Sequence, residues 1–486
     1  MKFPRILHLG AVAVALAFST VARAAGMPNI VFIMADDLGY AELGCYGQAK
    51  IRTPRIDALA AQGMRFTRNY CGNAVCAPSR CVLMTGKHPG HAEVRNNRSM
   101  IPLGEPEGQH PLPAEEVTIA EILRREGYAT GAFGKWGLGA PGSESDPAEH
   151  FDLFHGYNCQ REAHNYYPDH LWKNRGRVEL DGKTYAHDLI MTEALAFIRE
   201  HREGPFFAYL PVTIPHAAMH APEEEMAPFR GQFAAFEDTI GKYAGPEVRN
   251  PVAAFAAMMT RLDRNVGELL DLLKELGIDD NTLVMLSSDN GPHQEGGHQP
   301  DFFDSNGPFR GHKRDVYEGG IRAPLLARWP GKIAAGSTSD LVSAHWDAMP
   351  TLCELAGASP AEDTDGISMV PTLLGKLSDQ KRHDYLYWEF YEQGGKRAVR
   401  FGNWKAVQLG LAKDGLEKAK IELYDLGADR GEENDVAATH PDEVAKARAF
   451  FAEAHVPSAM WEFKGTPSKA KGKTKSKPKA AAPPAK

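Results

Sequence analysis

Apolar positions along this chain fall into two periods. Pro28-Asn29-Ile30-Val31-Phe32-Ile33-Met34 is an unbroken apolar run of strand length. Such a run suits a strand buried on both faces of a parallel sheet. It stops at Asp36-Asp37. Thr118 to Gly127 has helical spacing, with Ile119, Ile122 and Leu123 on one face and Gly127 as a stop. Tyr128 to Phe133 then reads as a strand and closes an α/β repeat. The pattern recurs in Ala186 to His201, a helix, followed by strand-like Pro205 to Leu210. It recurs again in the amphipathic helix Val252 to Leu276, followed by the strand Thr282 to Leu286. Alternation of this kind predicts an α/β fold whose large domain carries a mainly parallel sheet flanked by helices.

Polar clusters follow these strand candidates: Asp36-Asp37, Lys135, His216 and Asp289-Asn290. In open α/β sheets the ligand site lies at the carboxyl ends of the strands, so the clusters converge on one place. From about His383 the texture changes to short alternating segments, Tyr385 to Phe390, Arg397 to Phe401, Trp404 to Val407 and Glu422 to Asp425, then a helix from Pro441 to Ala454. This predicts a small C-terminal α+β domain with an antiparallel sheet over 383–463, after a catalytic domain over 25–382.

The ends of the chain change that picture. Lys2 and Arg5 precede an apolar run from Ile6 to Phe18 that ends in Ala22-Arg23-Ala24. This reads as a signal peptide, 1–24, and predicts a periplasmic or secreted protein. A membrane anchor needs about 20 apolar residues, and this run is shorter. The tail 464–486 holds eight lysines and no acid, so the remainder carries −16 against −8 for the whole chain. Its Lys, Ala, Pro and Ser composition predicts disorder. An acidic body argues against nucleic acid as the main partner, and an anionic substrate needs a local cationic pocket. Six cysteines, Cys45, Cys71, Cys76, Cys81, Cys159 and Cys353, are too few for a disulfide scaffold at this length.

Asp36-Asp37 and Ser288-Asp289-Asn290-Gly291 together offer three carboxylates and an amide, hard-oxygen chemistry suited to calcium or magnesium rather than zinc. Between them lies Cys76-Ala77-Pro78-Ser79-Arg80-Cys81-Val82-Leu83-Met84-Thr85-Gly86. Read locally, this is a proline turn entering a helix with a buried cysteine. As a motif it resembles the signature of the formylglycine-dependent (type I) sulfatases, with Cys76, Pro78, Arg80, Leu83, Thr85 and Gly86 at the signature positions. Further blocks follow in the family's order. They are Asp36-Asp37-Leu38-Gly39, Thr53-Pro54-Arg55-Ile56-Asp57, Gly127 through Gly134-Lys135-Trp136, Pro215-His216, Ser288 to Gly291, and Gly311-His312-Lys313-Arg314 through Glu318-Gly319-Gly320.

The resemblance implies an alkaline-phosphatase-like fold and a sulfuric ester hydrolase, arylsulfatase-like. In it Cys76 is oxidised to formylglycine by a dedicated maturation enzyme. It makes Asp36, Asp37, Asp289, Asn290 and modified Cys76 the ligands of a calcium ion. Arg80, Lys135, His216 and Lys313 become the sulfate-binding and proton-transfer groups. The implied reaction runs through a formylglycine hydrate: one hydroxyl attacks sulfur, the alcohol leaves, and the second hydroxyl loses its proton to expel sulfate from the covalent sulfoenzyme. The charge inventory agrees with this, because an anionic ester needs fixed positive charge around it and a nucleophile better than water.

One position departs from the family. A histidine is usual two residues after the signature lysine, where Lys135-Trp136-Gly137 has glycine. Substitutes are His91, in the loop Gly86 to His91, and His164, in the Arg/His/Tyr-rich segment Cys159 to Pro168. Arg161 and His164 in that segment equally suit sugar binding or a plain aromatic surface loop. Export and this segment together favour a sulfated carbohydrate as substrate. A formylglycine-dependent phosphonate or phosphate ester hydrolase and a non-catalytic binder of sulfated glycans are the competing readings.

Overall fold

A computed structural model describes residues 26–97 and 107–463. The signal peptide 1–24 and the tail 464–486 expected from the sequence lie outside the described residues. The large domain is built on a ten-stranded sheet. Its centre is Asn29–Ala35, flanked by Thr282–Ser288 on one side and Phe206–Pro211 on the other, both parallel to it. Ala129–Lys135 and Leu153–Tyr157 continue the parallel stretch. The edges turn antiparallel, through Leu325–Arg328 and Met64–Phe66 on one flank and the hairpin His170–Lys173 and Gly176–Glu179 on the other.

The expected elements form for the expected reasons. Every residue of Asn29–Ala35 is buried, which is why the run does not alternate. Ile119–Arg125 begins at Thr118 with a capping box, the Thr118 side chain accepting from Glu121 N while the Glu121 carboxylate accepts from Thr118 N. Pro251–Glu275 has proline in its first turn, where no donor is needed, and its Asn250 side chain accepts from Ala253 N at 3.0 Å.

A separate four-stranded antiparallel sheet, Leu386–Phe390, Lys396–Phe401, Trp404–Leu409 and Ile421–Asp425, follows in simple meander order. Its alternation divides two cores. Leu386, Trp388, Phe390, Ala398 and Val407 pack into the large domain's core. Tyr387, Val399, Phe401 and Ala406 pack under the helix Pro441–Ala454. Full burial of each large apolar side chain here stabilises by roughly 1.5–3 kcal/mol, so these side chains help bind the sheet to the large domain. All six cysteines are described and none is in a disulfide.

Candidate functional site

The parallel register brings the polar clusters together. Ala35 pairs with Ser288, so the next residues, Asp36 and Asp289, leave adjacent strand ends. Asp289 N donates to Ala35 O at 3.1 Å, and Asp37 N donates to the Asp289 carboxylate at 3.1 Å. Asp37 holds a left-handed φ of 67°, uncommon for a side-chain-bearing residue. Lys135 ends its own strand, and His216 lies in the loop after Phe206–Pro211. Cys76 is the first residue of the buried helix Cys76–Thr85. Pro78 is accommodated there because the first turn asks for no intrahelical donor.

Three cations are threaded between three carboxylates. Arg80 donates to Asp289 Oδ2 through Nη2 at 2.7 Å and Nε at 3.1 Å, and to Lys135 O at 2.9 Å. Lys135 Nζ donates to Asp36 Oδ2 at 2.6 Å. Lys313 Nζ donates to Asp37 Oδ2 at 2.7 Å and meets His216 Nε2 at 2.9 Å. His216 Nδ1 faces the Ala217 carbonyl. That leaves Nε2 as the lone pair, accepting from Lys313. All of these residues are buried.

Burial and neighbouring charge set the protonation states. Burial alone would raise Asp36, but Lys135 and Arg80 outweigh it and hold this carboxyl well below the usual range. Asp37 is pushed up to about 7 by burial, Lys313 countering only in part while Asp36 and Asp289 add repulsion. Burial, then Lys313 and His164, hold His216 well below its ordinary value, so it is neutral. Lys313 stays charged despite burial because Asp37 faces it. Burial pushes the Cys76 thiol up to about 12, so an unmodified thiol there is a poor nucleophile.

The donor set fits a hard cation. Asp36 Oδ1 and Asn290 Oδ1 are buried and have no hydrogen-bond partner among the described residues. Ligand atoms of Asp36, Asp37, Cys76 and His216 lie within 4.8 Å of one another. Unpaired buried oxygens are costly unless something positive meets them, and oxygen donors suit calcium or magnesium.

The remaining sequence candidates separate. His164 stacks face to face on His216, with ring centres 4.3 Å apart and planes 3° apart. Burial, then Lys135 and Lys313, keep it neutral. His91 instead binds Asp365 at 2.9 Å and stacks on His88. Arg161 is exposed and bonds Glu162 at 3.3 Å.

Gly137 has a physical reason to lack a side chain. Its φ is +73°, and a Cβ there would sit 1.9 Å from Gln160 Nε2. Gln160 therefore occupies the space a side chain at 137 would need. Gln160 lies in the Cys159 to Pro168 segment, whose visible chemistry in the sequence is Arg161 and His164. Tyr243, whose ring stands edge-on to His164 at 5.2 Å and His216 at 5.6 Å, and Glu295, which binds Arg314 at 2.6 Å and approaches Lys313 at 3.4 Å, complete the surroundings without any signal in the sequence. Neither lies in a block with a recognisable spacing, and only the fold brings them here.

A buried cluster of carboxylates and fixed cations at the ends of a parallel sheet, beside a small antiparallel domain, defines an alkaline-phosphatase-like hydrolase. Residues 28–358 match the family model described as Sulfatase, and 309–448 match that described as N-sulphoglucosamine sulphohydrolase, C-terminal. The chain belongs to the sulfatase family and is a sulfuric ester hydrolase. It is 36% identical to human arylsulfatase A over 406 residues, covering 79% of this chain and 76% of that protein. It is 29% identical to the N-acetylgalactosamine-6-O-sulfatase of Bacteroides thetaiotaomicron over 504 residues, covering 86% and 91%. Among solved structures, Ps i-CgsB in complex with k-i-k-neocarrahexaose superposes with a TM-score of 0.75 at 28% identity, over 90% of this chain and 94% of that one.

Proposed function

We propose that this enzyme removes a sulfate ester from a sulfated carbohydrate through formylglycine made from Cys76, with calcium held by Asp36, Asp37, Asp289, Asn290 and residue 76. The observation that carries this is the pair of orphaned oxygens, Asp36 Oδ1 and Asn290 Oδ1, set beside Cys76 and three buried cations. Formylglycine hydrate supplies a nucleophile that carries its own second hydroxyl, and the metal promotes its ionisation.

The chain's own groups divide the remaining work. Arg80 is permanently charged and fixes Asp289 through two donors. Lys135 and Lys313 supply the positive charge that grips sulfate oxygens. Lys313, which donates to His216 Nε2 and stays charged, acts with His216 to protonate the departing alkoxide. His164, stacked on His216 and kept neutral, is the base that stands in for the histidine missing at Gly137. The exposed edge of Tyr243, 38% accessible beside that stack, offers an apolar face to a sugar ring. Sulfated glycan names among the relatives support the substrate class: N-acetylgalactosamine-6-sulfatases by sequence and a neocarrahexaose complex by structure.

The test has two parts. Peptide mass spectrometry, after expression with a formylglycine-generating enzyme, should show the thiol at 76 replaced by an aldehyde. Sulfate release should then be measured by ion chromatography across defined sulfated sugars, with a phosphonate monoester in parallel. Release from at least one sugar and little turnover of the phosphonate is the expected result. A fully active enzyme containing only unmodified Cys76 would overturn the mechanism.

A further inference from the structure

A second group of charges is buried where the four-stranded sheet meets the large domain. Lys405 Nζ lies 3.0 Å from both Glu318 Oε1 and Glu432 Oε1. Arg322 Nη1 donates to Glu318 Oε2 at 3.0 Å, and the Tyr70 hydroxyl donates to the same oxygen at 2.8 Å. Two carboxylates thus answer two cations. Arg400, only 4% exposed, is a third cation beside them. Its guanidinium makes no close ion pair and its Nε no hydrogen bond among the described residues; it lies over the face of Tyr70, 5.6 Å away, and acts on Glu318 only through space. Arg400 shares Glu318 with Lys405 and Arg322, so cations outnumber carboxylates here and an anion from outside would balance them.

There is room for one. Arg400 lines a cavity of about 440 Å³ together with Arg68, Arg322 and Arg430, against a single carboxylate, Asp340. A neighbouring cavity of about 190 Å³ shares Arg68 and Arg400 and adds Arg382. Arg68 and Arg430 also make no ion pair among the described residues. Arg322 is anchored by the Thr67 carbonyl and by stacking over Phe309 at 4.1 Å, which makes that wall rigid. A cluster of arginines on an acidic body focuses anions locally. None of these residues belongs to the cluster around Cys76.

We propose that this cavity is an anion-binding subsite that takes a sulfate or carboxylate group on the forked donors of Arg400 and Arg68. The group has two sources, free inorganic sulfate, the product of the reaction, or a charged substituent on a longer polyanionic sugar chain. The second source rests on the carbohydrate reading above; the binding itself does not.

The experiment is calorimetric titration of the mature enzyme with sodium sulfate and, separately, with a sulfated tetrasaccharide. Wild type is compared with Arg68→Ala/Arg430→Ala and with Arg400→Gln. The catalytic site is common to all three proteins, so the difference isolates this cavity. The expected result is at least a tenfold weaker Kd in both variants for one probe, with turnover of a small aryl sulfate unchanged. Loss with sodium sulfate assigns the free anion; loss confined to the tetrasaccharide assigns a substrate-chain contact. Because Arg400→Gln can fail to fold, the double variant of the two solvent-accessible arginines decides the matter. Equal affinities of both probes for wild type and the double variant overturn the proposal and leave Arg400 as a stacking partner of Tyr70. Failure of every sulfated sugar to release sulfate would instead overturn the catalytic reading and leave this binding result standing.

Discussion

The two buried charge clusters differ in what they leave without a counter-ion. Around Cys76 the orphaned atoms are acceptors, Asp36 Oδ1 and Asn290 Oδ1, although Arg80, Lys135 and Lys313 already neutralise the carboxylates nearby. At the domain junction the unpaired atoms are a donor, Arg400 Nε, and an acceptor, Glu432 Oε1, which still has Lys405 Nζ 3.0 Å away, while Glu318 is answered by Lys405 and Arg322. Buried polar groups are paired almost without exception in folded proteins. Orphaned acceptors set among fixed cations support the proposed cation in the first cluster, and an orphaned guanidinium on an arginine-lined cavity supports the proposed anion in the second. Counting charges alone would not separate the two places, since both mix buried arginine, lysine and carboxylate.

The largest expected effect comes from the first cluster. Asp289→Asn keeps the shape and still accepts from Arg80, but removes a carboxylate from the proposed metal site. Activity should fall by about a thousandfold or more, with a melting temperature close to wild type. Chelation should have the same consequence, and added calcium should restore the wild type but not the variant. Restoration by zinc and not by calcium would break the assignment of oxygen-ligand chemistry.

The second cluster should respond in stability rather than turnover. Lys405→Met leaves Glu318 and Glu432 buried without their shared cation, a loss of about 3–5 kcal/mol. Urea denaturation measures it, and turnover per folded molecule should stay near wild type. A variant as stable as wild type would mean that this network is not what fixes the two sheets together.

The first cluster was legible in the sequence and the second was not, for physical reasons. The central strands were readable because both faces are buried, and the site because successive parallel strands end at one edge of the sheet, so Asp36, Lys135, His216 and Asp289 meet although they are far apart in the chain. The edge hairpin His170–Lys173 and Gly176–Glu179 was not readable: its second strand is largely exposed, so no apolar period marks it. The Arg400 cavity was equally hidden, because its arginines come from separate segments and each alone looks like a surface residue. On sequence grounds His91 ranked ahead of His164 as the substitute base. Only the fold brings His164 onto His216 and turns His91 to Asp365.

His164→Ala tests that distinction within the first cluster. If His164 is the base that replaces a side chain at Gly137, turnover should fall by about a hundredfold, with the protein accumulating a bound sulfate visible as added mass after rapid quenching. His91→Ala should leave turnover within about twofold of wild type, as expected for a group acting only through Asp365. The reverse ranking would place the base in the loop after the Cys76 helix and detach His164 from catalysis.

The smallest expected effect sharpens the comparison from outside both clusters, at a group buried with neither counter-ion nor cavity. His187 is 1% exposed, its Nε2 meets Asn265 Oδ1 at 2.9 Å, and its Nδ1 has no partner among the described residues. Burial is the main cause that lowers its pKa from 6.5 to about 4, with Arg261 and Arg264 adding to it and Asn265 opposing. The folded state therefore keeps this imidazole neutral at pH values where the unfolded chain protonates it. The sign follows: below pH 6.5 the unfolded chain binds more protons, so stability falls as the pH drops, until the folded protein also protonates near pH 4. At pH 5 the cost is about 2 kcal/mol relative to neutral pH. His187→Gln can still donate to Asn265 but cannot titrate. Its unfolding free energies at pH 7 and pH 5, from urea denaturation, should therefore differ by about 2 kcal/mol less than those of wild type. Equal pH dependence in the two proteins would show that burial without a partner does not hold this histidine neutral, and would remove the baseline against which the two charged clusters stand out.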